Sequence, residues 1–157
     1  MKKCIICDID GVYVDSSKWI PFIPVSREDR EGWDYFAQLS GLCTPNLEII
    51  KLLKLAGIFY PIIFITSRED NKALKEATKA QIDVFSGSWI HIGSKHKLFM
   101  RPYKDYRDAW YVKKEIMEKE VLPYYKPIIA IDDDLDNILM YQALDIPTWH
   151  YKKFLER

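Results

Sequence analysis

The sequence lacks an excess of charge of either sign, because 23 lysines and arginines balance 23 aspartates and glutamates. A neutral chain has no overall electrostatic attraction to nucleic acid, although a local basic groove is compatible with this composition. The sequence also lacks any run of about 18 apolar residues, which argues against a transmembrane helix. The apolar run after the N-terminal lysines is too short for a signal peptide, so we expect a cytoplasmic protein without membrane contacts.

Cysteine is scarce, and the three examples are Cys4, Cys7 and Cys43. The spacing of Cys4 and Cys7 occurs in redox and zinc sites, but no second pair of Cys or His residues completes a zinc site. Residues three apart in a strand point to opposite faces of a sheet. We therefore interpret Cys4 and Cys7 as buried strand residues.

The sequence does contain a regular alternation of short apolar runs and helical segments. The apolar runs predict strands at residues 3–7, 60–65, 98–100 and 127–131, with a weaker one at 148–151. Helical periodicity marks residues 45–57, 70–81, 105–119 and 135–144. This alternation predicts an α/β fold, in which a parallel sheet lies between helices and ligands bind beyond the carboxyl ends of the strands.

The length of 157 residues is consistent with one domain spanning residues 1–157. One stretch, at about residues 12–44, does not fit the alternation of strands and helices. It contains two prolines and several aromatic residues, among them Trp19, Trp33 and Tyr35. Two interpretations stay open for this insertion: a small cap over the active edge of the sheet, or a packed surface loop with a short helix.

Acidic and hydroxyl residues concentrate at the carboxyl ends of three predicted strands. The first strand ends in Asp8-Ile9-Asp10, the second in Thr66-Ser67-Arg68 and the fourth in Asp132-Asp133. Parallel strands bring these ends to one edge of the sheet, and the third predicted helix adds Lys113 or Lys114. Because residues two apart in an extended chain lie on the same side, Asp8 and Asp10 should face the same space.

This combination of residue types is suited to phosphoryl transfer. A carboxylate attacks phosphorus only when its own charge and that of the phosphate are neutralised. Mg²⁺ neutralises them through hard oxygen ligands, which the carboxylates at two strand ends supply. A lysine ammonium cancels further charge, and a hydroxyl with nearby backbone N–H groups holds the phosphoryl oxygens. One of Asp8 and Asp10 can then attack while the other protonates the leaving oxygen.

The segment Asp8-Ile9-Asp10-Gly11-Val12, directly after an apolar strand, resembles the first motif of the haloacid dehalogenase (HAD) superfamily. Thr66, Lys113 and Asp132-Asp133 are similar to its second, third and fourth motifs, in the same order. The resemblance covers nearly the whole chain. It implies a HAD-like Rossmannoid three-layer sandwich with a mostly parallel central sheet and a short insertion after the first strand. It also implies a phosphatase.

The resemblance implies a role for each motif residue. Asp8 would be the nucleophile and form an aspartyl-phosphate, and Asp10 would be the general acid and then the general base. Thr66 would bind the phosphoryl group, and Lys113 would neutralise Asp8 and the phosphate. The implied cofactor is Mg²⁺, held by Asp8, Asp10 (through its backbone carbonyl), Asp133 and Asp132.

A narrower resemblance, to the phosphatase domain of bacteriophage polynucleotide kinase/phosphatase, rests on residues 64–69, 98–102, 105–108, 113–117 and 130–133. It implies that Ser67, Arg68 and Arg101 bind a substrate that is a nucleic-acid 3′-phosphate end or a nucleotide. The chain departs from that domain at Ala109, where the domain has an acid four residues before the motif lysine. A phosphatase for small metabolites and a non-catalytic HAD-like binding module stay open as alternatives.

Overall fold

The computed structural model describes residues 1–26 and 28–152. Within them the strands are β1 (Lys2–Cys7), β2 (Val14–Asp15), β3 (Thr44–Pro45), β4 (Ile62–Glu69), β5 (Lys97–Arg101), β6 (Tyr125–Asp132) and β7 (Thr148–His150). The α-helices are α1 (Arg30–Ser40), α2 (Leu47–Phe59), α3 (Lys72–Phe85), α4 (Ala109–Ile116) and α5 (Leu135–Ala143). A 3-10 helix (Ser17–Phe22) precedes α1, and a π-helical turn (Met117–Val121) follows α4.

Five of the strands form one sheet in the order β5-β4-β1-β6-β7, and every neighbouring pair in it is parallel. β1 lies in the middle, with Ile6 opposite Ile63 on β4 and Ala130 on β6. Parallel strands covered on both faces consist of nearly continuous apolar runs, as these do. The predicted α/β fold with a mostly parallel central sheet and flanking helices is confirmed.

Each face of the sheet carries its own hydrophobic core. On one face α2 and α3 pack against side chains that include Cys7 and Phe64. On the other face α4 and α5 pack against side chains that include Cys4 and Ile63. Cys4 and Cys7 are therefore buried free thiols on opposite faces, as the strand periodicity predicts.

Several predicted boundaries differ from those in the structure. The helix expected to stop at Gly57 continues to Phe59. A Cβ at Gly57 would lie 3.4 Å from Cε1 of His96, so the glycine permits close packing rather than ending the helix. β4 begins at Ile62 and continues to Glu69, beyond the predicted 60–65, with an irregularity in its pairing to β5 after Thr66.

The helix expected from about residue 105 begins only at Ala109. The residues before it form a loop that the guanidinium of Arg101 organises. Its Nη1 donates hydrogen bonds to the carbonyls of Asp105, at 2.9 Å, and Arg107, at 2.6 Å. These hydrogen bonds satisfy both carbonyls without helical partners, which favours the loop.

The insertion between β1 and α2 is closed at its base by the antiparallel pair β2 and β3. It contains the 3-10 helix and α1, whose N-cap Asp29 accepts a hydrogen bond from the Gly32 N–H. The guanidinium of Arg30 hydrogen-bonds the hydroxyl of Tyr106 and lies 5.7 and 5.6 Å from the ring centres of Tyr103 and Tyr106. The insertion thus contacts the loop after β5 and spans the carboxyl end of β4.

A single domain over residues 1–157 stays a prediction, and residues 153–157 lie outside the described part of the chain. Among residues 1–26 and 28–152, no helix combines the length and the apolar character needed to cross a membrane.

Candidate active site

A buried lysine joins two carboxylates below the carboxyl edge of the sheet. Nζ of Lys113, on α4, donates hydrogen bonds to Oδ1 of Asp8 at 2.9 Å and to Oδ2 of Asp132 at 2.7 Å. Asp8 follows β1 and Asp132 ends β6, so the parallel pairing of these strands brings the two carboxylates together. Lys114 instead points outward and pairs with Glu118. The geometry therefore distinguishes between the two lysines.

The charges in this cluster do not cancel within the protein. Burial raises the pKa of Asp8, and the charges of Asp132 and Asp133 raise it further against the opposing effect of Lys113. Burial disfavours the charged form of Lys113, but the carboxylates of Asp132 and Asp8 outweigh it and raise its pKa. Burial, followed by the charge of Asp132, raises the pKa of Asp133 to about 6. The cluster has more carboxylates than cations.

Asp8, Asp132 and Asp133 meet the geometric requirement for a shared cation. One ligand oxygen from each lies within 4.8 Å of the other two. Asp132 is itself fixed, because its Oδ1 accepts hydrogen bonds from the Asp134 N–H at 3.0 Å and from Nδ2 of Asn137 at 3.1 Å. Hard carboxylate oxygens are the ligands that Mg²⁺ and similar cations take. These residues could hold a metal ion.

Gly11 brings the backbone against this carboxylate cluster. Its φ is +85°, and a Cβ built there would lie 2.1 Å from Oδ2 of Asp133. Only glycine adopts this conformation freely and leaves the space that the Asp133 carboxylate occupies. The glycine in the first motif therefore has a specific task in this chain, which sequence reasoning missed.

Asp10 is held by an arginine from the neighbouring strand. Nε of Arg68 donates to Oδ2 of Asp10 at 2.9 Å, and its Nη2 donates to Oδ1 at 2.8 Å. The third nitrogen, Nη1, donates to Thr78 Oγ1 at 3.2 Å and to Gln81 Oε1 at 2.9 Å. Burial opposes the charge of Arg68, but the Asp10 carboxylate outweighs it and the pKa of Arg68 is raised. The three guanidinium nitrogens of Arg68 are thus engaged inside the protein.

Thr66, Ser67 and Arg101 take three different positions. Thr66 is buried, and its hydroxyl accepts a hydrogen bond from the Arg68 N–H at 3.2 Å. Ser67 is exposed at the edge, and its carbonyl accepts a hydrogen bond from Nε of Arg101 at 3.1 Å. Their contacts to a substrate remain predictions.

A cavity of about 750 Å³ lies above the cluster. The predicted site residues that line it are Asp8, Asp10, Ser67, Arg68, Arg101, Lys113 and Asp133. Thr66 and Asp132 are 1% and 0% exposed and support this set from below. The insertion contributes Trp33 and Phe36 to the wall, so the cavity lies between the insertion and the carboxyl edge of the sheet.

A known protein family matches nearly the whole chain. The sequence profile described as "Polynucleotide kinase PNKP phosphatase domain" matches residues 2–153. The chain belongs to this family. It is therefore a HAD-type phosphatase, as the four motifs predict. Membership of a phosphatase family argues against the alternative of a non-catalytic binding module.

Solved structures share the fold of this PNKP-type phosphatase domain. Two of them are "Structure of Pnkp1/Rnl/Hen1 complex", with a TM-score of 0.73, and "Structure of the Pnkp1/Rnl/Hen1 RNA repair complex", with a TM-score of 0.75. Both are 23% identical to the chain and cover 98% of it, while the chain spans 48% and 44% of theirs. The chain thus spans less than half of these relatives. No curated protein shows significant similarity to it.

Sequence reasoning also missed the partners of Arg68 in this PNKP-type site. Thr78 and Gln81 lie three residues apart on α3, so they share one helix face. Nothing in their spacing connects that face to an arginine on β4, because the contact depends on how α3 packs against the sheet.

We predict that Gly11→Ala lowers kcat/KM for a simple phosphate ester by about a hundredfold, because a displacement of about 1 Å at a catalytic group has that effect. Gly87→Ala is the matched control. Gly87 also has a positive φ, +62°, but a Cβ there would meet nothing within 4 Å. Equal activity of the two variants, measured on folded protein, would show that the approach of Asp133 to Gly11 is unimportant.

Proposed function

We propose that this domain is a Mg²⁺-dependent phosphomonoesterase that removes 3′-phosphates from nucleic-acid ends or nucleotides through an aspartyl-phosphate on Asp8. The observation that carries the proposal is the buried bridge from Lys113 to Asp8 and Asp132, beside Asp133. Membership of the PNKP phosphatase-domain family supports the choice of a polynucleotide end. The structural neighbours' place in an RNA repair complex supports including RNA among the substrates. The expected cytoplasmic location remains a prediction.

Mg²⁺ fits the residues present. Three carboxylates and one ammonium leave two negative charges, which one divalent cation balances. Asp8 and Asp133 would hold the ion, with Asp132 supporting them and the Asp10 carbonyl as a further predicted ligand. When bound, Mg²⁺ would neutralise charge on the nucleophile and on the phosphoryl oxygens.

Asp8 carries the covalent step of the proposed reaction. One of its oxygens bonds to phosphorus while the bond from phosphorus to the ester oxygen breaks. The electron pair of that bond stays on the leaving oxygen, which takes a proton from protonated Asp10. Water then attacks the same phosphorus, Asp10 accepts its proton, and Asp8 departs as a carboxylate. Lys113 stabilises the Asp8 carboxylate through the hydrogen bond that its ammonium donates to Oδ1.

Arg68 has a different proposed role from the substrate contact that the resemblance implies. Its guanidinium meets both oxygens of Asp10, which fixes the orientation of that carboxylate. The pairing of Asp10 with Arg68 suits the second step, in which the Asp10 carboxylate accepts a proton from water. Proton delivery in the first step requires at least one of the two hydrogen bonds to open. We therefore propose Arg68 as a positioning residue for Asp10.

Thr66, Ser67 and Arg101 complete the proposed site. Thr66 binds the phosphoryl group or orients the β4 backbone that does so. Ser67 is exposed to the cavity and is the better placed hydroxyl for a phosphoryl oxygen. Arg101 joins the Ser67 carbonyl to the loop after β5, so it keeps these two walls together.

The proposed function predicts Mg²⁺-dependent release of phosphate from 3′-phosphorylated DNA and RNA oligonucleotides. At equal concentration, sugar phosphates should react far more slowly. Asp8→Asn should abolish release from every substrate, because the amide cannot form the phosphorylated intermediate. Sugar phosphates reacting fastest would replace the proposed function by the metabolite phosphatase, and full activity of Asp8→Asn would rule out the mechanism.

Mg²⁺ should also stabilise the fold, since it binds the native carboxylate cluster and not the unfolded chain. At one hundred times its dissociation constant, the ion adds about 2.7 kcal/mol, equivalent to roughly 5–10 °C in Tm. Asp133→Asn should remove this increase, while without Mg²⁺ it should melt no lower than the wild type. Glu118→Gln, at the surface pair with Lys114, is the control that should keep the increase. Thermal melting with and without Mg²⁺ measures this without any activity.

A positioning role for Arg68 predicts that Arg68→Lys lowers kcat by about 10²-fold or more, within the range of general acid–base contributions. KM should change little, because the lysine retains the charge but not the two-point contact with Asp10. A large rise in KM with an unchanged kcat would instead favour direct substrate binding by Arg68. Steady-state kinetics on one 3′-phosphorylated oligonucleotide separates the two roles.

A further inference from the structure

The cavity above the active site has an apolar wall that phosphoryl transfer does not use. Trp33 and Phe36 of α1 form one part of it, and Trp110 of α4 forms another; we call these three residues the aromatic wall. Ile20 and Ile23, from the insertion, line the same cavity and remain 58% and 44% exposed. Apolar side chains left open beside a reaction centre indicate that part of the ligand is itself apolar.

Two members of the aromatic wall, Trp33 and Phe36, are held by contacts within the insertion. Nε1 of Trp33 donates to the carbonyl of Ser26 at 3.1 Å, so its polar group is satisfied within the insertion. The ring of Phe36 packs edge-on against Trp33, with centroids 6.0 Å apart and an interplanar angle of 89°. A tryptophan with a fixed ring and a bonded N–H offers an aromatic surface at little entropic cost.

The aromatic wall is also close to the phosphate end of the cavity. Trp110 lies three residues before Lys113 on α4, and residues three apart in a helix share a face. Trp110 and Lys113 accordingly both line the cavity. A ligand whose phosphate lies on Lys113 and Asp8 therefore has an aromatic surface within one helical turn.

The charges around the cavity argue against binding through a long phosphate backbone. The side chains that line it include ten acidic residues and six basic ones. Five of the six basic residues already donate hydrogen bonds to protein groups, namely Arg30, Arg68, Arg101, Arg107 and Lys113. Neutralising many phosphates requires a groove with the opposite balance of charge.

Together these features lead to one inference, which rests on the proposed function for the identity of the reacting group. We propose that the aromatic wall is a binding site for the nucleobase of the substrate's terminal nucleotide. The protein then recognises one nucleoside 3′-phosphate. Its base stacks on the aromatic wall, and its phosphate lies beside Asp8 and Lys113. Stacking on an aromatic ring tolerates any base, because every base has a π-face.

The test measures binding separately from turnover. The Asp8→Asn variant, which the proposed mechanism makes inactive, is used so that the ligand is not consumed. In the presence of Mg²⁺, its dissociation constant is measured for two 3′-phosphorylated oligonucleotides. One ends in a normal nucleotide and the other in an abasic residue, and they are otherwise identical. Stacking is worth about 1–3 kcal/mol per base, so the normal end should bind roughly five- to 150-fold more tightly. Trp33→Leu and Trp110→Leu, added to Asp8→Asn, should each reduce this ratio and leave binding of the abasic end unchanged.

Two further variants exclude trivial explanations. Trp33→Phe retains an aromatic ring and should restore much of the ratio, which a general loss of folding would not allow. Trp89→Leu removes a tryptophan that does not line the cavity and whose ring lies under the Lys54 ammonium, so it should leave the ratio at its original value. Circular dichroism confirms that each variant is folded.

Equal binding of the normal and abasic ends, unaffected by either tryptophan substitution, would overturn the inference. A steep salt dependence would also overturn it, since a single phosphate contact predicts a change of roughly threefold between 50 and 200 mM salt. If the active wild type released no phosphate from 3′-ends while the base-dependent binding held, the proposed function would fail and the base site would stand. The two conclusions are therefore tested by different measurements.

Discussion

The ammonium group of Lys113 lies in a fully buried position, where a charge is stable only with partners at close range. Moving such a charge out of water costs several kcal/mol, and removing one partner of a buried pair costs about 3–5 kcal/mol. Asp8 and Asp132 provide the partners, and they come from adjacent strands, β1 and β6. The lysine must approach from α4, whose buried side chains Val112 and Ile116 pack on the same face of the sheet. The hydrophobic core on that face therefore determines the position of the charged cluster.

This arrangement places three carboxylates, those of Asp8, Asp132 and Asp133, beside the one ammonium of Lys113, which leaves an excess of two negative charges. The excess has a structural consequence, because Asp133 and Asp8 both have raised pKa values while Lys113 remains charged. A second cation would relieve the repulsion between the carboxylates. Gly11 has no Cβ and so leaves room for the Asp133 carboxylate in this cluster. Gly11 and Asp8 after β1, Lys113 on α4, and Asp132 and Asp133 at the end of β6 thus depend on one another. The same electrostatic balance links stability to the proposed reaction.

The insertion contributes to the site from the opposite side. β2 and β3 close its base, and the contact of Arg30 with Tyr103 and Tyr106 connects it to the loop after β5. Between these attachments the insertion presents apolar side chains to the cavity, and the charged residues Asp8, Lys113 and Asp133 line its opposite side. The division is physically reasonable for a nucleotide, in which a doubly charged phosphate and a flat aromatic base are separated by one sugar.

The sequence by itself determined the elements and the chemical types at their ends. Short continuous apolar runs identified β1 and β6 as buried parallel strands, and Asp8, Asp10, Thr66 and Asp132 follow from their predicted places at strand ends. Helical spacing also contained a signal for Lys113, because the residues three and four places on, Ile116 and Met117, are both buried. For Lys114 the corresponding residues are the buried Met117 and the exposed Glu118. These features depend only on neighbours in the chain, so local periodicity reveals them.

Only the tertiary structure decided which of these residues meet. The pairing of Arg68 with Asp10, the support from Thr78 and Gln81, and the approach of Gly11 to Asp133 all join separate elements. The placement of Trp33 and Trp110 in one cavity likewise depends on how the insertion and α4 pack against the sheet. A side chain's own element sets its direction, but its partners depend on the rotation and distance of the elements packed against it, which spacing along the chain does not encode.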